Sequence, residues 1–178
     1  MSQALYAIYL RVASELLEQL CDRPDRLGEL DVREALLDGR AVDLGRRWEE
    51  LGCLLDGGIE PPCQAPTVAD VVFAAFDDDR TLWGYVSPAR VRAMAHELSR
   101  ITPDAFLAMY RVDDADTADA APGDRTERIA DPATYLYRRF EQLRDHYVAA
   151  SERGEAVLVR LGERAWDDAA EGAARATT

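Results

Sequence analysis

The stretch Val42-Asp43-Leu44-Gly45-Arg46-Arg47-Trp48-Glu49-Glu50-Leu51-Gly52-Cys53-Leu54-Leu55-Asp56-Gly57 decides how the rest of the chain is read. Leu44, Trp48, Leu51 and Leu55 fall at helical spacing and make one apolar stripe with a tryptophan at its centre. Gly57 and Gly58 follow the last periodic residue, where a helix stops on a left-handed cap. The spacing predicts a helix built around Trp48.

Upstream, residues 4–12 set Tyr6, Ile8, Leu10 and Val12 against Leu5, Ala7, Tyr9 and Arg11. That β-branched and aromatic alternation predicts a strand with at least one buried face. Ser14 is the predicted N-cap of a helix through Cys21 that turns Leu16, Leu17 and Leu20 inward, and Pro24 ends it. A further short helix is expected over 33–38, closed by Gly39.

Downstream, Pro61, Pro62 and Pro66 mark an extended connection. Thr67 with Asp70 three positions on resembles a capping box and predicts a helix over 68–76. Asp77-Asp78-Asp79 is a loop, and 81–86 is a short strand carrying Trp83 and Tyr85. Ser87-Pro88, Thr102-Pro103 and Asp131-Pro132 each place a side-chain acceptor at N-cap and a proline at N1, where the missing N–H costs nothing. The three helices that follow carry apolar faces: Val91, Met94, Ala95 and Leu98; then Phe106, Met109 and Tyr110; then Leu136, Phe140, Leu143 and Tyr147, extending to Gly154. Residues 155–161 read as a buried strand that joins the first strand in one sheet.

The expected fold is α+β: a single domain over 1–165, with a small mixed sheet containing both terminal strands packed against several helices. The segment 112–130 is acidic and poor in large apolar residues, so it is expected to be a mobile loop, and 166–178 a frayed tail.

Composition excludes several functions. With 34 acidic against 21 basic residues the net charge is −13, which phosphate backbones repel, and no basic patch offsets it. Nucleic acid is therefore not an expected partner. No apolar run approaches the roughly 18 residues needed to span a bilayer, and the start of the chain lacks the basic region of a signal peptide. The expectation is a soluble, cytoplasmic protein without a membrane role. Lysine and asparagine are both missing, a pattern of GC-rich bacterial genomes that also removes Schiff-base and phosphate-loop lysines. Cys21, Cys53 and Cys63 form no CxxC pair, and the two histidines, His96 and His146, have no metal-ligand spacing.

Three segments of the chain resemble the YfbM-like family of bacterial proteins, itself a domain of unknown function. The first is Tyr9-Leu10-Arg11-Val12 leading into Ser14-Glu15-Leu16-Leu17. The second is Asp43-Leu44, Trp48, Leu51 and Leu54-Leu55-Asp56-Gly57. The third is Gly84-Tyr85-Val86-Ser87-Pro88 through Val91, continued by Tyr147 and Gly154-Glu155 before Val157-Leu158-Val159. The resemblance implies a family and a fold but no reaction. Glu49 and Gly52 stand where the family usually carries histidines, which weakens an enzymatic reading.

No nucleophile elbow, dinucleotide fingerprint or phosphate loop occurs, so no catalytic, cofactor or metal residue is assigned. Adjacent Glu49 and Glu50 point different ways on a helix, and Asp77, Asp78 and Asp79 lack the ordered spacing of a calcium loop. Trp48, Trp83 and Tyr85 are the candidate pocket residues, because an aromatic body with a polar tip suits a binding floor; packing in the core is the competing role. The leading expectation is a non-enzymatic binding module whose acidic surface meets a basic protein, in the manner of an immunity-type toxin neutraliser. The alternative is a small-molecule binder or hydrolase with a pocket of roughly 300 to 1,000 Å³ around those three aromatics. A homo-oligomeric structural protein is the third possibility.

Overall fold

The structure is a computed structural model that describes residues 6–45, 47–55, 71–72, 81–116 and 131–162. Strand β1 (Tyr6–Val12) leads into α1 (Ser14–Asp22), a 3-10 helix (Pro24–Glu29), α2 (Val32–Leu37) and strand β2 (Ala41–Gly45). Then come α3 (Trp48–Leu55), the two-residue strand β3 (Val71–Val72) and β4 (Leu82–Val86). Three helices, α4 (Pro88–Ser99), α5 (Pro103–Asp116) and α6 (Pro132–Arg153), precede strand β5 (Ala156–Gly162). No helix among the described residues is long and apolar enough to cross a membrane.

The sheet has five strands in the order β2-β1-β5-β4-β3. Both strands expected to be central are central, and they pair from Tyr6↔Gly162 to Val12↔Ala156. The α+β class holds, but the pairings among the described residues are all antiparallel, so the sheet is not mixed. Continuous apolar runs report burial on both faces and carry no information about strand direction.

Alternation along β1 and β5 explains the layering. Ala7, Tyr9, Val157 and Val159 face one core, shared with α3, α4, α5 and α6. Ile8, Leu10, Val12, Ala156 and Leu158 face a second core under α1, the 3-10 helix and α2. The sheet therefore lies between two helical layers. In the larger core Phe106 stacks on Phe140 with ring centroids 5.0 Å apart, and Tyr137 meets Phe106 edge-on at 5.4 Å.

The proline-led helices start as expected. Ser87 accepts from the Arg90 amide, Thr102 from Ala105 and Asp131 from Thr134. Helix α6 ends on Gly154 at φ +67°, with Gly154 N–H donating to the Ser151 carbonyl and Glu155 N–H to that of Ala150. This paired closure lets β5 start one residue later.

Several local expectations are corrected. Leu44 is on strand β2, not on the Trp48 helix, because Gly45 at φ +70° breaks the chain between them. Ala13 is the N-cap of α1, while the Ser14 hydroxyl donates to the Gly154 carbonyl at 3.2 Å. Val71–Val72 is a strand inside the segment read as a helix, the rest of which lies outside the described residues. Helix α5 runs to Asp116, so the first part of the expected loop is helical, and 117–130 lies outside the described residues. Asp77, Asp78, Asp79 and the tail 166–178 also lie outside them.

Candidate functional site

The three candidate pocket residues do not come together. Trp83 and Tyr85 are two residues apart on β4, so they share a face and join the smaller core, Trp83 only 6% exposed and Tyr85 half-buried. The Arg160 guanidinium lies 5.9 Å from the Trp83 ring. Trp48 opens α3 and packs, half-buried, against the larger core on the other face of the sheet. Period-two spacing placed Trp83 beside Tyr85, but nothing local in the sequence says which face of the sheet a helix covers. The pocket expected around all three aromatics is not formed.

Around the opening motif the geometry is that of a joint. Gly45 N–H donates to Asp43 Oδ1 at 2.7 Å, closing a tight turn after β2. Arg139 of α6 donates to the Asp43 carbonyl at 2.9 Å and lies 5.1 Å from the Tyr135 ring. Arg47 pairs with Glu50 at 3.3 Å. Of the two positions where the resemblance led histidines to be expected, Glu49 is exposed and Gly52 buried, one turn apart on α3.

Ionisable groups at the inner end of the sheet are enclosed. Arg11 donates through Nη2 to the Gly39 carbonyl at 2.9 Å, and its Nη1 lies 3.9 Å from Glu155 Oε2. His146 on α6 is 7% exposed; burial, and then the charge of Arg11, lower its pKa to about 3, so the ring is neutral. Tyr9 and Tyr147 are fully buried, and burial, followed by the proximity of Tyr147, pushes the Tyr9 phenol well above its ordinary value. Arg11 ties β1 to the turn before β2 and reaches toward Glu155. Among the described residues no group of three or more His, Cys, Asp or Glu side chains is placed to hold a metal ion.

Among the described residues a groove of about 530 Å³ opens between α4 and α5, with Leu55 of α3 also lining it. Its floor is apolar: Met94 and Leu98, both buried, with Ile101 and Met109 half-buried beside them. Arg90, Glu97 and Arg100 supply the charges along its lining. Sequence reading missed it because Met94 and Leu98 belong to the apolar face of α4, and the space between α4 and α5 depends on how two distant segments pack. The apolar periodicity at Met94 and Leu98 was the available signal, and it reads equally well as core.

Fold and site together define an α+β protein with an antiparallel sheet covered on both faces and a half-open groove among its helices. The chain belongs to the family described as Domain of unknown function (DUF1877), whose model matches residues 4–160. The structure is similar to the crystal structure of a protein of unknown function, YfbM from Escherichia coli, with a TM-score of 0.58 and 17% sequence identity. That likeness covers 88% of this chain and 99% of the other, and at such identity it speaks for the fold alone. No curated protein matches the sequence.

Proposed function

We propose that this protein is a non-enzymatic, acidic cytoplasmic module that binds a basic protein partner, an immunity-type neutraliser being one form of that role. One observation carries the reading. On a chain of net charge −13, the exposed residues Glu15, Glu18 and Asp22 recur at helical spacing along α1, with no ion pair among the described residues. Other carboxylates of the same layer are spoken for: Asp25 by Arg23 at 3.0 Å, Glu29 by Arg26 at 3.1 Å and Asp38 by Arg40 at 2.6 Å. An unneutralised stripe on a negative body steers a cationic surface toward it and loses that pull in salt.

The test is retention of bacterial proteins from a GC-rich lysate on the immobilised chain, in low and high salt. A basic protein is held in low salt, released in high salt, and lost from the triple variant Glu15→Arg, Glu18→Arg, Asp22→Arg. Retention of nothing basic in low salt, or equal retention by the triple variant, overturns the reading.

A second reading, a small-molecule binder, is favoured by the α3–α4–α5 groove, whose volume of about 530 Å³ falls within the range of ligand pockets. It moves the binding site away from Trp48, Trp83 and Tyr85.

A further inference from the structure

We propose that the α3–α4–α5 groove takes an amphiphilic monocarboxylate, its apolar chain on the methionine-lined floor and its head group on Arg100. This rests on the small-molecule reading of the groove.

The groove suits a chain. Helix α4 lines it from Arg90 to its far side, and Ile101 just beyond the helix end extends it. From Arg90 to the helix end at Ser99 the lining follows the axis for about 13 Å, long enough to accompany an extended chain. Met94 of α4 and Met109 of α5 both line it, and unbranched thioether side chains adapt to a flexible apolar ligand better than branched ones. Ile101, Met109 and Leu55 are only half-buried, so covering them removes further apolar surface from water.

The charges choose the head group. On a chain of net charge −13 an anion receives no general attraction, so any anion bound here depends on a local cation. The groove has two. Arg90 is half-buried and already engaged in an interaction. Arg100 is exposed, lies at the Ile101 end of the groove and has no ion pair among the described residues. Its planar fork of N–H donors matches a carboxylate. Glu97, three positions earlier, also lines the groove and lies 3.4 Å from His96 Nδ1. Its own negative charge opposes a second charge on the ligand, which favours a monoanion over a phosphate dianion.

The experiment is calorimetric titration of the full chain with decanoate, decan-1-ol and decyl phosphate, each below its micelle concentration. Decanoate is expected to bind at least ten-fold more tightly than decan-1-ol, and more tightly than decyl phosphate. Arg100→Gln should weaken decanoate about ten-fold and leave decan-1-ol within two-fold, with Arg100→Lys recovering part of the loss. Ala93→Trp, at an exposed position lining the groove, should block all three while the circular-dichroism melt stays cooperative. Decanoate and decan-1-ol binding equally, decyl phosphate binding best, or indifference to Arg100→Gln overturns the head-group assignment and leaves the groove a ligand site. Absence of all binding, or binding untouched by Ala93→Trp, overturns the small-molecule reading as well.

Discussion

Arg139 and Asp43 are 96 positions apart in the chain, yet the Arg139 guanidinium donates to the Asp43 main-chain carbonyl at 2.9 Å. Asp43 belongs to β2, an edge strand of the sheet, and such edges present unpaired carbonyls that invite another strand. The long helix thus covers the edge with a side chain, steadied by the Tyr135 ring 5.1 Å away and by Gln142 Oε1 at 3.0 Å. Arg139→Ala is expected to cost about 1–2 kcal/mol in urea unfolding. Arg139→Lys should recover only a fraction, because an ammonium lacks the planar guanidinium that lies by the Tyr135 ring while one of its nitrogens serves the carbonyl and Gln142. Unchanged stability in Arg139→Ala would show that the edge needs no cover.

His146 sets an acid limit on stability. Its folded pKa is depressed to about 3, whereas an unfolded histidine takes up its proton near 6.5. Between those values the unfolded chain binds the extra proton, so stability is full above about pH 6.5 and falls as acid is added, by up to about 1.4 kcal/mol per pH unit. Hydrogen bonds from Arg40 and from Thr134 hold Asp38 and Asp131 below the ordinary carboxylate range, and their loss of stability comes only below about pH 4. Unfolding measured at pH 7, 6, 5 and 4 should therefore slope downward in the wild type and be nearly flat in His146→Leu. NMR titration of the imidazole gives a direct check: a midpoint near 6.5 would contradict the enclosure of the ring by β1 and α6.

Glycines separate backbone strain from crowding. Gly154 lies at φ +67° with open space around a hypothetical Cβ, so Gly154→Ala is expected to destabilise by about 1 kcal/mol through conformation alone. Gly45→Ala combines φ +70° with the Tyr135 hydroxyl 3.4 Å away and should cost more. Gly28 has neither obstacle, and Gly28→Ala is expected to stabilise by about 0.4–1 kcal/mol by restricting the unfolded chain. Thermal melts of the three variants rank them; a destabilised Gly28→Ala would break the pattern.

Ser87 is the cap of α4, the helix that forms most of the groove, and its hydroxyl accepts from the Arg90 amide at 3.3 Å. Ser87→Ala should lower stability by about 1 kcal/mol. Ser87→Asp should retain it, since a carboxylate serves the same amide and suits the positive end of the helix. Equal loss in both variants would place the role of Ser87 in packing.

The elements readable in advance are those whose signals are local. Ser87-Pro88, Thr102-Pro103 and Asp131-Pro132 each announce a helix within two residues, and β1 and β5 announce burial by unbroken apolar runs. The misreadings arose where a local pattern has two solutions. Leu44 and Trp48 are four apart and match a helix, but Gly45 turns left-handed between them, and a spacing rule does not register that turn. Val71 and Val72 are apolar in helix and strand alike. The groove was the least legible feature, because it is the gap between α4 and α5, and a gap between helices has no residue of its own.

Strand β5 lies between β1 and β4, so every route across the sheet from β2 to β3 crosses Ala156–Gly162. Without that segment the remaining strands fall into two separate pairs, β2 with β1 and β4 with β3. The two pairs therefore have no strand pairing between them until β5 has been made, although helices α4 and α6 touch both through the larger core. Until then the inner edges of β1 and β4 are unpaired, and the pairing that closes them joins residues as distant as Tyr6 and Gly162. The sheet is completed by the pairing of Ala156–Gly162, and a nascent chain still lacking that segment is the form most exposed to aggregation and to chaperones.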